Sequence, residues 1–326
     1  MMDYRLYKKT KHFIANKTFN IWGKFYLKNY DIKKTIIVCS SARGGSTWLA
    51  QIISSIPGYP LLWEPLHLVT SQSCVEYGFV WDTYIKPDSE DNMKYNYLQK
   101  VLTGKNLTNE LISSNYFNPI QFLQFNGFVV KFTLANMMLP WILKNFPIRC
   151  IFMIRHPCAV VNSRLRHSSW NSVNIENFYV QPDVFIDYPH LKEIFNSITT
   201  REELFAFSWV LQTLIPLNYP IFHQLYFTTY EKLMIDGKNE VNNIFNYLNE
   251  NIPTQANNML IKPSKTTGKN LNVFKQKNSL SLWKEDLSNK QIELILNIVK
   301  KSGIDFYSKD PEPDYKSLLK YNVGAT

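Results

Sequence analysis

Short apolar runs separated by helical patterns organise the chain from residue 35 onward. Four of these runs are rich in β-forming residues and cover residues 35–39, 128–132, 150–154 and 225–228. Their apolar character is continuous rather than alternating, which is typical of strands that a parallel sheet buries on both faces. We therefore predict four buried, parallel strands.

A helical pattern follows each predicted strand. Helices are expected at residues 47–55, 134–145, 158–166 and 231–234 or slightly beyond, and an amphipathic helix is expected at about 289–301. Strands that alternate with helices form right-handed βαβ units. We predict an α/β fold with a doubly wound, mainly parallel sheet and flanking helices, in which ligands bind beyond the carboxyl ends of the strands.

Two long aromatic-rich stretches, 69–126 and 168–200, interrupt this alternation. We interpret them as irregular insertions that lie over the ligand-binding edge of the sheet, where an acceptor pocket would be built. In this interpretation residues 1–34 form a basic N-terminal extension. Residues 35–326 form a single domain, which is long enough for a full α/β core with insertions.

The composition adds a preference for anionic partners. The chain has 326 residues and a net charge of +10, which suits nucleic acid, a membrane surface or a phosphorylated small molecule. Cys39 and Cys150 lie in apolar runs, and the four cysteines form no CxxC pair or metal spacing. We therefore expect free thiols in a reducing compartment.

Without a signal-peptide core or an apolar stretch of membrane-spanning length, the sequence favours a soluble, cytoplasmic protein.

The loop after the first predicted strand has the layout of an anion site. It contains Arg43, Gly44, Gly45, Ser46 and Thr47, and a helical pattern follows. Backbone N–H groups at a helix N-terminus attract anions, and an arginine fork matches phosphate or sulfate oxygens. A Walker loop needs a lysine where Gly45 stands, so a magnesium nucleoside triphosphate fits poorly. The alternative is a tight turn in which Ser46 is an ordinary N-cap.

A second basic loop follows the third predicted strand. Arg155 leaves the strand end, and Ser163 follows two helical turns later, so the two side chains could hold one phosphate. Arg164 and Arg166 add positive charge nearby. The alternative is a surface helix with a solvated basic face.

Together the two loops resemble the sulfotransferases that use 3′-phosphoadenosine-5′-phosphosulfate (PAPS). In that family an R-x-G-[ST]-[ST] loop cradles the 5′-phosphosulfate, and R-[DH]-P with a serine eight residues after the arginine binds the 3′-phosphate. This chain supplies SSARGGSTWL and MIRHPCAVVNSR in the same order, followed by FTTYEKL. The resemblance implies PAPS as donor, 3′-phosphoadenosine-5′-phosphate (PAP) as product and no metal. It extends from residue 35 to about residue 301.

The resemblance also implies catalytic roles. Glu64, in LLWEPL, matches a glutamate that takes the proton of the acceptor, and His67 is the second candidate for this base. Lys131, in FVVKF, matches a lysine that stabilises the leaving oxygen, and Arg43 would add charge stabilisation. The alternatives are a carboxylate that pairs with Arg43 or caps a helix, a structural histidine, and a lysine that extends to solvent from a strand end.

Further residues are predicted to contact the nucleotide. Tyr230 matches the tyrosine of the family's Y-E-x-L motif, and Trp48 could either stack on the adenine or belong to the core. A late basic loop departs from the R-K-G pattern of the small-molecule branch, which favours the carbohydrate or tyrosylprotein branch. Its candidate contacts to the 3′-phosphate or adenine are Ser264, Lys265, Lys277 and Ser279.

Other functional classes fit the sequence less well. A kinase or NTPase needs a loop lysine and an acidic residue at a strand end, and neither is present. A nucleic-acid-binding protein would show a recognition motif, and none is visible. A nucleotide-binding protein without transfer activity is disfavoured by Glu64 and Lys131. The expected acceptor is a saccharide or a small natural product that is sulfated on oxygen, with nitrogen as an alternative.

Overall fold

A five-stranded parallel sheet forms the centre of the protein. The computed structural model describes residues 21–105, 107–108, 111–112, 117–219, 224–260 and 280–322. Its strands pair in the order β2-β3-β1-β4-β5, and every pair is parallel. The strands are β1 (Ile36–Ser40), β2 (Leu61–Trp63), β3 (Val129–Phe132), β4 (Arg149–Ile154) and β5 (Leu225–Thr229).

The predicted fold class is confirmed, and each of the four predicted strands lies within one residue of its expected ends. The strand β2 was not predicted. It has three residues and begins directly after Pro60, so it is too short to show a periodic pattern. Its position at the sheet edge, beside β3, gives it one neighbouring strand.

Helices cover both faces of the sheet, and the amphipathic helix predicted at 289–301 is confirmed at the same boundaries. In chain order the α-helices are α1 (Ser46–Ile53), α2 (Asn92–Leu102), α3 (Pro119–Leu123), α4 (Leu139–Asn145), α5 (Pro157–Leu165), α6 (Pro182–Asp187), α7 (Pro189–Asn196), α8 (Arg201–Leu217), α9 (Tyr230–Ile235), α10 (Gly237–Leu248), α11 (Thr254–Leu260), α12 (Trp283–Asp286), α13 (Asn289–Lys301) and α14 (Tyr315–Leu319).

Alternate residues of each strand enter two separate cores. Ile36 and Val38 of β1 pack in a core with α1 and α10, whereas Ile37 and Cys39 pack in the larger core with α4, α5 and α8. This double coverage explains the continuous apolar runs. The four cysteines are buried and free, as predicted for Cys39 and Cys150.

The longest helix, α8, was missed by the sequence pattern. Fifteen of its seventeen residues are buried, so its sequence shows no polar face and no helical period. A capping box formed by Thr200 and Glu203 fixes its start. The helix packs against α5 and α13 and supports the residues that follow β4.

The two predicted insertions are not irregular. The first contains α2 and α3, and the second contains α6 and α7. Asp91 and Asn118 cap the first pair with side-chain hydrogen bonds, and prolines occupy the first turn of α6 and α7. These helices are mostly short, so their periodicity is weak in the sequence. The division of the chain into an extension and one domain stays a prediction, although Trp22 donates to the Phe122 carbonyl at 2.9 Å.

A glycine turn positions the edge strand β2. Gly58 has φ +81°, and its carbonyl accepts from Asn126 N–H at 2.8 Å. A Cβ at this position would lie 2.1 Å from the Gln124 carbonyl oxygen. Neither the backbone conformation nor the space is compatible with a side chain.

We predict that Gly58→Ala lowers the free energy of unfolding by about 3 kcal/mol or more, because left-handed strain adds to a backbone clash. Gly303→Ala is the matched control, since Gly303 has φ +91° and a Cβ there would meet no atom within 4 Å; it should lower the free energy of unfolding by only about 1 to 2 kcal/mol, from left-handed strain alone. Urea denaturation of both variants measures the difference. Equal losses would contradict the clash at residue 58.

Candidate functional site

One cavity of about 880 Å³ opens at the carboxyl ends of the strands. All five strands deliver a lining residue there, either in their last two positions or in the segment that follows. The cavity brings together most of the residues predicted for the site. Those that line it are Arg43, Gly45, Ser46, Thr47, Trp48, Glu64, His67, Lys131, Arg155, Ser163 and Tyr230. Ser264, Lys265, Lys277 and Ser279 lie outside the described residues.

The loop after β1 is closely packed because it has glycines at two positions. A Cβ on Gly44 would lie 2.1 Å from Ser40 Oγ, and a Cβ on Gly45 would lie 2.6 Å from Tyr230 Cδ2. Gly45 has φ +99° and is the N-cap of α1, so Ser46 is the first helical residue and not the cap. Arg43 also has a positive φ, +72°. The loop therefore brings its backbone close to the cavity at the start of a helix.

Two guanidinium groups meet at this loop. Arg43 Nε donates to Ser163 Oγ at 2.9 Å, and an Arg155 terminal nitrogen donates to the Arg43 carbonyl at 3.0 Å. The Arg155 guanidinium carbon lies 4.3 Å from the ring centroid of Tyr230. Burial and the nearby Arg155 charge lower the pKa of Arg43. Neither arginine takes part in an ion pair between described residues, so the cavity holds two adjacent positive charges.

Arg164, in α5, and Arg166, at the C-cap of α5, do not add their charges to the cavity surface beside Arg43 and Arg155. Arg164 is fully buried, and its Nε donates to the Ala42 carbonyl at 3.3 Å. Arg166 forms an ion pair with Asp286, which also accepts from Asn162 Nδ2 at 2.7 Å. The sequence predicts the charges of Arg164 and Arg166 near the phosphate site. In the structure Arg164 is bonded to the loop from the core, and Arg166 is neutralised by Asp286.

Glu64 and Lys131 form a buried ion pair on the opposite side of the cavity. Glu64 Oε1 contacts Lys131 Nζ, and Glu64 Oε2 accepts from the Thr133 N–H at 2.9 Å. The Lys131 ammonium also lies 4.1 Å from the centroid of a Trp63 ring. Glu64 has φ +44°, a conformation that non-glycine residues adopt at a cost of about 1 to 2 kcal/mol. Carboxylate and ammonium are thus both fixed, on each other and on the backbone.

His67 and Trp48 line the cavity, and each also makes contacts within the protein. His67 Nδ1 accepts from Thr70 N–H at 3.3 Å, and its ring meets the Trp81 ring at 5.3 Å. Trp48 is 3% exposed and donates its indole N–H to the Met259 carbonyl at 2.9 Å. Trp48 thus belongs to a core as well as to the cavity wall.

Several lining residues were not identified from the sequence. They come from the ends of β2 and α5, from the second insertion and from the segment around α12: Trp63, Asn162, His167, Ser169, Trp170, Trp283 and Asp286. The aromatic content of the insertion was the available signal for Trp170. No local pattern marks the others, because they meet only through the fold.

A buried polar cluster of Glu231, His156 and Tyr307 lies next to Arg155. Glu231 accepts from the His156 N–H at 2.9 Å and from the Tyr307 hydroxyl at 3.0 Å. His156 is fully buried, stacks on Trp283 at 4.5 Å and places Nε2 3.0 Å from the Ser308 carbonyl. Burial raises the pKa of Glu231 to about 7 and lowers the pKa of His156 to about 3. Both shifts favour the neutral side chain.

Two features are absent from the described part of the chain. None of its helices combines the length and the apolar character that crossing a bilayer requires. No cluster of three or more His, Cys, Asp or Glu side chains within those same ranges could hold a metal ion.

Comparison with known proteins identifies one family. The model for the sulfotransferase domain matches residues 33–306. Similar solved structures include mouse sulfotransferase SULT7A1 complexed with PAP, which is 13% identical, with 95% of this chain and 94% of that chain covered and a TM-score of 0.45.

Two bacterial structures are similar to the same degree. Sulfotransferase STF9 from Mycobacterium avium is 14% identical, with 90% of this chain and 82% of that chain covered and a TM-score of 0.45. The sulfotransferase domain from the Synechococcus PCC 7002 olefin synthase is 17% identical, with 86% and 97% covered and a TM-score of 0.44. No curated protein matches the chain.

The titration of Glu231 predicts a pH dependence of stability. A carboxyl with a raised pKa contributes stability that is complete below its unfolded value and is lost as pH rises through the folded value, here about 7. Glu231→Gln does not titrate. Its free energy of unfolding, relative to wild type, should therefore rise by up to about 3 kcal/mol between about pH 4.5 and about pH 7.5.

Urea denaturation at several pH values tests this expectation. His156 has the opposite pH dependence, but it is present in both proteins and cancels in the difference. Glu293→Gln, at an exposed ion pair with Lys309, is the control and should show no such trend. A difference between Glu231→Gln and wild type that stays constant with pH would contradict the raised pKa.

Proposed function

The chain belongs to the sulfotransferase domain family, and from that premise we propose the donor, the acceptor class and the catalytic residues of its sulfuryl transfer. The donor is PAPS, which supplies the sulfuryl group when it is bound. The acceptor is a hydroxyl, or alternatively a nitrogen, of a saccharide or a small natural product. The reaction is an in-line displacement with Glu64 as base.

The observation that carries the donor assignment is the pair of guanidinium groups at Arg43 and Arg155. Neither forms an ion pair with a carboxylate among the described residues, so bound anions would relieve their repulsion. The loop places backbone N–H groups at the start of α1, and its two glycines leave no room for side chains against Ser40 and Tyr230. These residues suit a ligand with two separate anionic groups, as in PAPS and PAP.

Glu64 and Lys131 are suited to act in sequence. Glu64 takes the proton of the acceptor, and this neutralises the carboxylate that the Lys131 ammonium contacts. The charge of Lys131 is then available to the oxygen on which negative charge develops. The Thr133 N–H and the Trp63 ring hold the two side chains in place, so little reorganisation is needed.

The acceptor class is supported by the other walls of the cavity. Trp63 and Trp170 provide flat apolar surfaces, and His67, His167 and Ser169 provide hydrogen-bonding groups. A ring with hydroxyl groups, such as a sugar, presents both an apolar face and polar edges. This combination favours saccharides and cyclic small molecules over extended apolar substrates.

We predict that Glu64→Gln lowers turnover by about 100-fold or more, since general bases contribute at least that much. Lys131→Ala should lower it comparably, whereas both variants should still bind PAP. The assay uses radiolabelled PAPS with a panel of saccharides and cyclic small molecules, and the best acceptor of the wild type is kept for the variants. Glu76→Gln, an exposed carboxylate in the first insertion, is the matched control. Wild-type turnover in Glu64→Gln would remove Glu64 from the role of base.

We predict that Arg155→Ala weakens PAP binding by about tenfold or more while AMP binding changes less, because the Arg155 contact is assigned to the 3′-phosphate. Calorimetric titration with PAP, AMP and magnesium-ATP measures the three affinities in one buffer. Wild type should bind PAP tightest. Equal or tighter binding of magnesium-ATP would overturn PAPS as the donor.

A further inference from the structure

Arg164 contacts the loop after β1, residues 42–47, which we call the donor loop, and the cavity wall that contains His67 and Trp170, which we call the acceptor side. Its own side chain does not line the cavity. It follows Ser163, which does line the cavity, but the helix turns the Arg164 side chain into the core, where it is fully buried. A long cation is therefore placed beneath the loop.

The guanidinium of Arg164 is bonded on every nitrogen. Nε donates to the Ala42 carbonyl at 3.3 Å, one terminal nitrogen donates to Ser208 Oγ at 3.2 Å and to the Phe205 carbonyl at 3.4 Å, and the other donates to Gln212 Oε1 at 3.0 Å. These acceptors are all neutral. Burial lowers the pKa of Arg164 to about 10, which leaves the side chain charged at neutral pH.

The charge of Arg164 is balanced at a distance, through Gln212. The Gln212 amide accepts from Arg164 and donates to Asp82 Oδ1 at 2.6 Å. Asp82 lies in the first insertion and has φ +50°. The next residue toward the N-terminus, Trp81, contacts the His67 ring in the cavity wall. Hydrogen bonds from Asp82 through Gln212 and Arg164 therefore connect the first insertion, at the acceptor side, with the donor loop.

A second contact reaches the acceptor side directly. The Arg164 guanidinium carbon lies 4.7 Å from the ring centroid of Trp170, which lines the cavity from the second insertion. The Trp170 ring also meets Phe205 of α8 at 5.5 Å. The second insertion thus contacts Arg164 directly, and the first reaches it through Gln212.

We propose that Arg164 is a positioning residue: it fixes the backbone conformation of the donor loop and ties that loop to the acceptor side of the cavity. Its bond to the Ala42 carbonyl orients the backbone next to Arg43, and the Gln212–Asp82 relay anchors the guanidinium to the first insertion. This proposal rests on the proposed function, because the loop is assigned to the 5′ end of the nucleotide. Small displacements of a loop that binds through backbone N–H groups are costly.

The test uses a residue that touches neither the cavity nor the loop. Gln212→Met keeps the side-chain length and removes both relay hydrogen bonds. It should weaken PAP and AMP binding by the same factor, about fivefold to tenfold, because both ligands carry the 5′-phosphate. Arg155→Ala instead should change PAP binding more than AMP binding. A purely structural role would lower the melting temperature and leave both dissociation constants unchanged in the folded protein.

Calorimetry is performed far below the melting temperature of each variant, with circular dichroism to verify folding. Gln99→Met, at an exposed position of α2, is the matched control and should bind both ligands as wild type does. Unchanged affinities in Gln212→Met, or a loss confined to PAP, would overturn the proposal.

Ser208→Ala provides a second, milder variant in case Gln212→Met does not fold. It removes one hydrogen bond to the Arg164 guanidinium without changing any charge and should weaken both ligands about threefold; unchanged affinities would overturn the proposal equally. A wild type that does not prefer PAP to AMP and magnesium-ATP would instead refute the proposed donor, so the two failures are distinguishable.

Discussion

The proximity of Arg43 and Arg155 is the constraint on which the rest of the site depends. Two like charges in a partly buried cavity repel each other, and here the Ser163 hydroxyl and the Tyr230 ring contact the two guanidinium groups. Arg155 is fixed at its carbonyl by the Trp209 indole at 3.0 Å, and its guanidinium is fixed on the Arg43 carbonyl. The glycines of the loop let its backbone pack against Ser40 and Tyr230, where a Cβ would collide. The fold is thereby arranged around a position where a bound anion is stabilising.

Most of the other charges of the cavity are already paired within the protein. Glu64 neutralises Lys131, and Asp286 neutralises Arg166. The unbalanced positive potential is therefore concentrated at the donor loop rather than spread over the cavity. Under the proposed function, an anionic donor would be attracted to this loop, and an acceptor at the Glu64 side would meet a region of nearly balanced charge.

The sheet was predictable because burial on both faces leaves a strong local signal. Runs of consecutive apolar residues identified four strands, and the order of strand and helix gave the parallel topology and the edge where ligands bind. The strand β2 and the helix α8 were not predicted, for different reasons. The strand has only three residues, too few to show a period, whereas the helix is buried on all sides and has no polar face to reveal its period. Helices inside the insertions were hidden because their packing partners are far away in sequence.

At the site, residue types were predictable but pairings were not. A local motif indicates that Ser163 and Arg164 belong near a phosphate, yet consecutive helical residues point about 100° apart. One therefore faces the cavity, and the other enters the core and supports the loop from below. Likewise, Glu64 and Lys131 were each assigned a role, but their direct contact depends on the register of β2 against β3, which no single segment encodes. The chemistry of such a site follows from local sequence, whereas its electrostatic balance follows from the topology that brings distant segments together.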